Sequence, residues 1–328
     1  MVFTIFVTRN IPGEGIEMLK RNKMFKVRVS TYNGILPRRA LLKAVKGCHA
    51  VLALLTDRID EAFFKAAGPQ LKIVANYAVG FDNIDVKAAA AHNVVVTNTP
   101  GVLTNAVAEF TVAALMALSK HLEGADLFTR SGKYKGWDPN LFLGDELQGK
   151  TIGIVGLGRI GYKVAHTMGA GFGMKIIYND PRINKDFEKK YGAQFMKLPA
   201  LLKQADYVTL HVPLLPSMHH LISTKEFNVM KKTAYLINTA RGPVVDEKAL
   251  TRALKNRRIA GAALDVFECE PAIDCDMTDT LELKKLDNVI LTPHIASATR
   301  EARNEMSLIV ARNIIAVLSG KKPLTPAQ

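Results

Sequence analysis

A chain of 328 residues with 48% hydrophobic content can bury a large core, and its length suggests two domains rather than one. The formal net charge of +14 comes from scattered basic residues and pairs such as Arg38–Arg39, Lys231–Lys232 and Arg257–Arg258, so solvated faces are the better reading and no nucleic-acid partner is expected. Cys48, Cys269 and Cys275 are odd in number and lack metal-ligand spacing, which argues against a disulfide framework or zinc site and suits a reducing, cytoplasmic setting.

The opening MVFTIFVTRN lacks the long apolar run and basic leader of a signal peptide, and no run reaches the ~18 apolar residues of a membrane span. Short apolar strands are expected at 2–8, 26–30, 50–55, 71–75 and 94–97, alternating with amphipathic helices at 15–21, 39–46, 61–67 and 86–91. Such βα repetition implies a parallel sheet covered on both faces. A long helix is expected from Thr104 to Arg130, with Thr104 or Asn105 as its cap, followed by a loop holding the only tryptophan, Trp137.

At 151–161 the sequence TIGIVGLGRIG reads as a strand, a tight turn and a helix start. Gly156 permits the turn, Gly158 lets the backbone approach a pyrophosphate, and Gly161 lets the helix pack close to its strand, with Arg159 and Ile160 opening that helix. A helix N-terminus here presents free N–H groups and the positive end of its dipole to phosphates. A lone glycine motif of this form is weak, but the next strand, 175–179, delivers Asp180 19 residues after Gly161, close to the roughly 20 expected of a ribose-binding acid. Such a carboxylate accepts bonds from ribose hydroxyls and repels a 2′-phosphate. NADH is therefore expected over NADPH, although Arg182 or Lys185 could turn toward a phosphate against the restraint of Pro181.

Further strands are expected at 207–212, 234–238, 261–266 and 288–291, six in all with the first two, before a final helix at 300–318 that could return to the first domain. The expected architecture is α/β with two Rossmann-like or flavodoxin-like domains. A discontinuous substrate domain spans 1–100 and 292–328, a doubly wound parallel cofactor domain spans 101–291, and a cleft lies between them.

Ligands on open α/β sheets sit beyond the carboxyl ends of the strands. Three such ends carry reactive groups: Thr239-Ala240-Arg241-Gly242, Phe267-Glu268-Cys269-Glu270-Pro271 and Thr292-Pro293-His294. Singly these read as a surface arginine, a solvated acid and a loop histidine. Together on the rim of a dinucleotide site they suit hydride transfer to a 2-oxo acid. Arg241 offers a planar fork for the substrate carboxylate and carbonyl oxygen. His294 hands a proton to that oxygen, and Glu270 orients the imidazole, with Glu268 as a competing and more exposed candidate. Using Glu268 and Glu270 as a glycosidase pair leaves the glycine turn unexplained. His211 could line the nicotinamide pocket or simply end its strand. His219 and His220 are adjacent in a loop and cannot easily share one metal ion, so no metal is expected.

The segments GLGRIG at 156–161, INTARGPVVDE at 237–247, ALDVFECEP at 263–271 and LTPHIASA at 291–298 together resemble the D-2-hydroxyacid dehydrogenase family. YAVGFDNIDV at 77–86, TNTPGVLTNAVAE at 97–109 and GWDPNLFLGDELQGKTIGI at 136–154 extend the match and look most like its glyoxylate and hydroxypyruvate reductases. The resemblance implies Arg241, Glu270 and His294 in the roles above, Val79 and Gly80 as backbone donors to the substrate carboxylate, and Asp265 on the nicotinamide carboxamide. It also implies Thr104, Pro213 and Ala240 along the cofactor, and Leu54 and Trp137 around the substrate. Trp137 would reach toward a partner subunit, which implies a homodimer.

Departures narrow the range. Val79 stands where phosphite dehydrogenase relatives carry lysine, a Glu–His pair is not needed for formate oxidation, and Ala296 replaces a frequent glycine. The length leaves no room for the regulatory domain of longer phosphoglycerate dehydrogenases, though short forms exist. NAD-sensing corepressors resemble this fold and keep the triad while acting mainly as binding proteins, so that class remains an alternative.

Overall fold

A computed structural model of the chain describes residues 2–270 and 283–327; Pro271 and Cys275 lie outside them. The chain divides into two compact units, residues 1–103 with 298–328, and residues 104–297. Each is a parallel sheet with interleaved helices.

In the first unit β1 (Phe3–Val7), β2 (Phe25–Val29), β3 (Ala50–Ala53), β4 (Ile73–Asn76) and β5 (Val95–Thr97) alternate with α1 (Gly15–Arg21), α2 (Arg38–Ala44), α3 (Glu61–Ala67) and α4 (Val86–Ala91). The strand order is β2-β1-β3-β4-β5, the flavodoxin-like order. Every residue of β3 and β4 is buried, as helices on both faces require. Helix starts are set locally: Asp60 accepts from Phe63 N and Asp85 from Ala88 N, each satisfying a donor that the helix cannot. The last helix of the chain packs against α1, β3, β4 and β5. It approaches α1 closely enough that a Cβ on Gly15 would lie 2.0 Å from Ser307 O, and Gly15 N donates to Ser307 Oγ at 2.6 Å.

The second unit begins with α5 (Thr104–Ser119) and α6 (Leu122–Arg130). The single helix expected over 104–130 is therefore two. His121 adopts φ +52°, and the loop around Gly144 takes over the end of α5, with Asp145 N donating to Ser119 O at 2.9 Å. A Cβ on Gly144 would lie 2.3 Å from that same oxygen. Capping by a loop more than twenty residues downstream has no local signature, which is why helical spacing alone overruns the break.

Among the described residues seven strands follow rather than the expected six: β6 (Thr151–Val155), β7 (Lys175–Asn179), β8 (Gln194–Phe195), β9 (Tyr207–Leu210), β10 (Tyr235–Asn238), β11 (Gly261–Leu264) and β12 (Val289–Leu291). The added β8 has two residues, too short for any periodicity. Helices α7 (Arg159–Phe172), α8 (Lys185–Tyr191), α9 (Leu198–Gln204), α10 (Thr224–Phe227) and α11 (Glu247–Lys255) connect them, and α12 (Arg300–Leu318) is the helix that joins the first unit. The order β12-β11-β10-β9-β6-β7-β8 is parallel throughout. Its direction reverses between β6 and β9, the switch point at which doubly wound sheets bind ligands. Leu201, Leu236, Leu250 and Leu264 are buried in the core on one side of this sheet, and Ile154, Val164, Met168 and Ile237 on the other. Each such side chain contributes about 1.5–3 kcal/mol of burial.

No helix among the described residues is long and apolar enough to cross a membrane. The cysteine arithmetic does not extend to a single bridge: Cys269 is disulfide-bonded, whereas Cys48 is free and buried. An odd count excludes full pairing and leaves room for one bond.

Candidate active site

Sheet register lines up the ends of five strands. Val155 pairs with Leu210, Leu210 with Asn238, Asn238 with Leu264, and Leu264 with Leu291. The next residues, Gly156, His211, Thr239, Asp265 and Thr292, therefore leave the sheet at one carboxyl edge. On the other flank Val155 pairs with Asn179, which brings Asp180 to the same edge.

The glycine turn has three distinct steric requirements. Gly156 has φ +94°, and a Cβ there would lie 2.8 Å from His211 O. At Gly161 a Cβ would lie 2.1 Å from Gly156 O, so α7 could not pack this close to its strand. Gly158 differs: nothing lies within 4 Å of where its Cβ would be, and it caps α7 without a side-chain bond. Chain packing does not account for glycine at this position, whereas an open cradle before the first N–H groups of a 14-residue helix suits a pyrophosphate. Asp180 holds the turn, its Oδ2 accepting from Leu157 N at 2.8 Å and its Oδ1 from Arg182 N at 3.1 Å. The carboxylate is thus fixed beside the glycine turn.

Histidine 294 lies three residues beyond β12 with φ +55°, a left-handed conformation that non-glycine residues adopt at a cost. Its ring Nδ1 is 2.8 Å from Glu270 Oε2. With the carboxylate accepting at Nδ1, the opposite nitrogen, Nε2, is left for proton exchange. Asp265 organises the loop that presents this ring. It is 1% exposed; Oδ1 accepts from Thr292 Oγ1 at 2.7 Å and Ile295 N at 2.8 Å, and Oδ2 from Ala296 N at 2.7 Å. The resemblance suggests a cofactor contact for Asp265, and its clamp on the His294 loop has no signal in the spacing.

Arg241 leaves the end of β10, its backbone carbonyl accepting from Asn238 Nδ2 at 3.0 Å and its Nη1 donating to Ala240 O at 2.8 Å. The next residue, Gly242, passes so close to the segment after β11 that a Cβ would lie 1.9 Å from both Phe267 C and Phe267 O. That segment is closed by Glu270 N donating to Phe267 O at 3.1 Å and anchored by Glu268 N donating to the buried Glu247 carboxylate. Glu247 gives no signal in the sequence, where a helix-initial glutamate has an ordinary capping explanation. Glu268 is not the exposed acid expected of it: its Oε1 lies 2.5 Å from His220 Nε2.

His211 is separated from His294 by its surroundings. Burial pushes its pKa down to about 3, and its Nε2 is 3.0 Å from Thr209 Oγ1. A ring that stays neutral near pH 7 cannot serve as the proton donor. Thr104 opens α5, Ala240 is buried and Pro213 lies three residues past β9. In the first unit, Leu54 N donates to the Asp57 carboxylate at 2.8 Å, while Leu54 O accepts from Asn83 Nδ2 at 3.1 Å. Val79 O and Gly80 O accept from Asn98 Nδ2 at 2.7 Å and Asn76 Nδ2 at 2.9 Å. The N–H groups of Val79 and Gly80 enter no hydrogen bond among the described residues. Trp137 is 83% exposed.

Residues 112–296 match the model of the NAD binding domain of the D-isomer specific 2-hydroxyacid dehydrogenases. The chain is 49% identical to a glyoxylate reductase of Thermococcus kodakarensis, covering 98% of this chain and 95% of that one. It is 47% identical to a glyoxylate reductase of Korarchaeum cryptofilum, covering 97% and 94%. A solved structure from Thermus thermophilus superposes with a TM-score of 0.91 at 38% identity, over 99% of this chain and 100% of that one.

Proposed function

Because this chain belongs to the D-isomer specific 2-hydroxyacid dehydrogenase family and is an NAD(P)-dependent oxidoreductase of 2-oxo acids, we propose that it reduces glyoxylate, with hydroxypyruvate as the next candidate, using NADH. The observation that carries the reading is the His294–Glu270 pair, 2.8 Å apart, held on the same strand-end rim as Arg241 and the glycine turn. The glyoxylate reductase relatives supply the substrate class.

Bound at this edge, the cofactor supplies the hydride. Gly156, Gly158, Arg159, Ile160 and Gly161 would hold its pyrophosphate and Asp180 its adenosine ribose. Thr104, Pro213 and Ala240 would lie along it, with Asp265 toward the carboxamide. Arg241 orients the 2-oxo acid through carboxylate and carbonyl oxygen and withdraws electron density from the carbon that accepts hydride. His294 Nε2 delivers a proton to the forming alkoxide while Glu270 holds the ring's tautomer and direction. Val79 and Gly80 offer N–H groups suited to a carboxylate, and Leu54, clamped at both its backbone groups, together with Trp137 would limit substrate size. A second copy of the chain is the proposed partner. No residue of α6 is buried, and Leu122, Leu127, Trp137 and Leu143 are 56%, 59%, 83% and 69% exposed, an apolar set that a homodimer would cover. A cytoplasmic setting is consistent with the family.

Initial rates of NADH oxidation with glyoxylate, hydroxypyruvate, pyruvate, 2-ketogluconate and 3-phosphohydroxypyruvate test the reading, alongside light scattering for the dimer. Glyoxylate should give the highest kcat/KM, and His294→Ala should lose at least ~10²-fold in kcat. Preference for 3-phosphohydroxypyruvate would move the substrate to the phosphoglycerate class. NADH binding without turnover of any 2-oxo acid would leave a corepressor-like binding protein, and full activity in His294→Ala would sink the mechanism.

A further inference from the structure

Adjacent residues such as His219 and His220 cannot easily share one metal ion by spacing alone, yet the structure brings their rings together. His220 adopts φ +51°, and its backbone is held there by His220 N donating to Pro243 O at 2.8 Å. The left-handed turn places both imidazoles on one side, with ring centroids 4.0 Å apart. Glu268 completes the group from the segment after β11, its Oε1 2.5 Å from His220 Nε2. One donor atom from each of the three residues lies within 4.8 Å of the other two.

We propose that His219, His220 and Glu268 form a binding site for one first-row divalent transition metal ion, of the class of Zn²⁺ or Ni²⁺. Two imidazoles and a carboxylate are donors that such ions favour over Mg²⁺ or Ca²⁺, which take oxygen ligands. Three protein ligands leave a fourth position for water. Bonds of about 2.0–2.2 Å in a tetrahedral site set ligand separations of roughly 3.3 Å. The pair already at 2.5 Å must open by less than about 1 Å, and the widest pair, within 4.8 Å, must close by no more than about 1.5 Å. His219 is exposed, so rotation of its side chain can supply that closure without moving the backbone. The alternative is a plain His220–Glu268 ion pair with the His219 ring packed at a tilt beside it, which needs no metal and gives His219 no role. The site is separate from the reacting atoms, since none of its three side chains is the proton donor, its carboxylate partner or the substrate arginine.

Tag-free enzyme stripped with chelator and titrated calorimetrically with ZnCl₂ and NiCl₂ near pH 7.5 tests the site. One equivalent per chain is expected. His219→Ala should weaken binding tenfold or more, at least the loss that follows when a group merely supporting a metal ligand is removed, while its NADH-dependent activity in chelator stays that of the wild type. Zn²⁺ should raise the melting temperature of the wild type more than that of His219→Ala at the same concentration, because stabilisation by a ligand grows with its affinity for the fold. Absence of saturable one-to-one binding overturns the proposal. Undiminished binding in His219→Ala overturns it equally, since the metal would then sit on other donors such as the Cys48 thiol.

Discussion

A methyl group placed on Gly242 tests whether the proposed catalytic residues Arg241 and Glu270 are positioned by backbone packing between the segments after β10 and β11. The added Cβ would lie 1.9 Å from Phe267 C and O and 2.4 Å from Glu268 N, all backbone atoms that no rotamer change can clear. To reach even ~3 Å the two segments must separate by about 1 Å, a strain of order 1–3 kcal/mol in stability. The displacement cannot be absorbed locally. Glu270 N is bonded to Phe267 O at 3.1 Å, so Glu270 moves with the Phe267 peptide, and Arg241 precedes Gly242 directly. Misplacement of about 1 Å costs about 10²-fold in rate, or roughly 2.7 kcal/mol of transition-state stabilisation. Gly242→Ala should therefore lose about 10²-fold in kcat/KM for glyoxylate while remaining folded by circular dichroism. NADH affinity should fall less than kcat/KM, because the glycine turn and Asp180 follow β6 and β7, away from the displaced segments. Wild-type kcat/KM in a folded variant would refute the positioning argument, and so would a loss confined to NADH binding.

On the proposed reading, in which the Asp180 carboxylate would face the ribose 2′ position, Asp180→Ser should raise kcat/KM for NADPH relative to NADH, and steady-state kinetics with both cofactors reads the ratio; a wild type that prefers NADPH, or a variant with no relative gain, would show that Asp180 does not set the choice. It should also lower stability modestly, since the bonds from Leu157 N and Arg182 N lose their charged acceptor. His211 has a folded pKa depressed by burial to about 3, so between there and its unfolded value near 6.5 the unfolded chain binds the extra proton. Its contribution is fully present above that unfolded value and is lost as pH falls, by at most about 1.4 kcal/mol per pH unit. His211→Asn should flatten the acid limb of urea-unfolding stability between about pH 6.5 and 4, and parallel limbs would contradict the assignment.

Much of this molecule is legible in its sequence because the signals are local or periodic. Helices at Gly15–Arg21, Glu61–Ala67 and Val86–Ala91 and strands at Thr151–Val155 and Lys175–Asn179 follow from apolar spacing bounded by Asp60, Asp85 and the glycine turn. The rule that ligands gather at carboxyl strand ends then points to Arg241, Glu270 and His294 without any geometry. Local signals fail where a residue's partner is remote in sequence. The break after Ser119 depends on Asp145, Glu268 is claimed by His220, and the clamp on the His294 loop depends on Asp265 bonds to Thr292, Ile295 and Ala296. These three share a cause. In each, a group is held by a loop from another part of the chain, and the packing of whole elements, not the sequence near the group, decides which loop that is.

Glycine serves different ends at the two edges of the site. Gly161 and Gly242 are required by atoms of the chain itself, at 2.1 Å and 1.9 Å from a would-be Cβ, whereas Gly158 meets nothing within 4 Å. Room at the N-terminus of a helix, where free N–H groups gather, suits an anionic group that the protein does not itself contain. The open space beside the start of α7 therefore supports the dinucleotide reading independently of the spacing of the three glycines, because spacing alone is equally satisfied by a tight turn with no ligand.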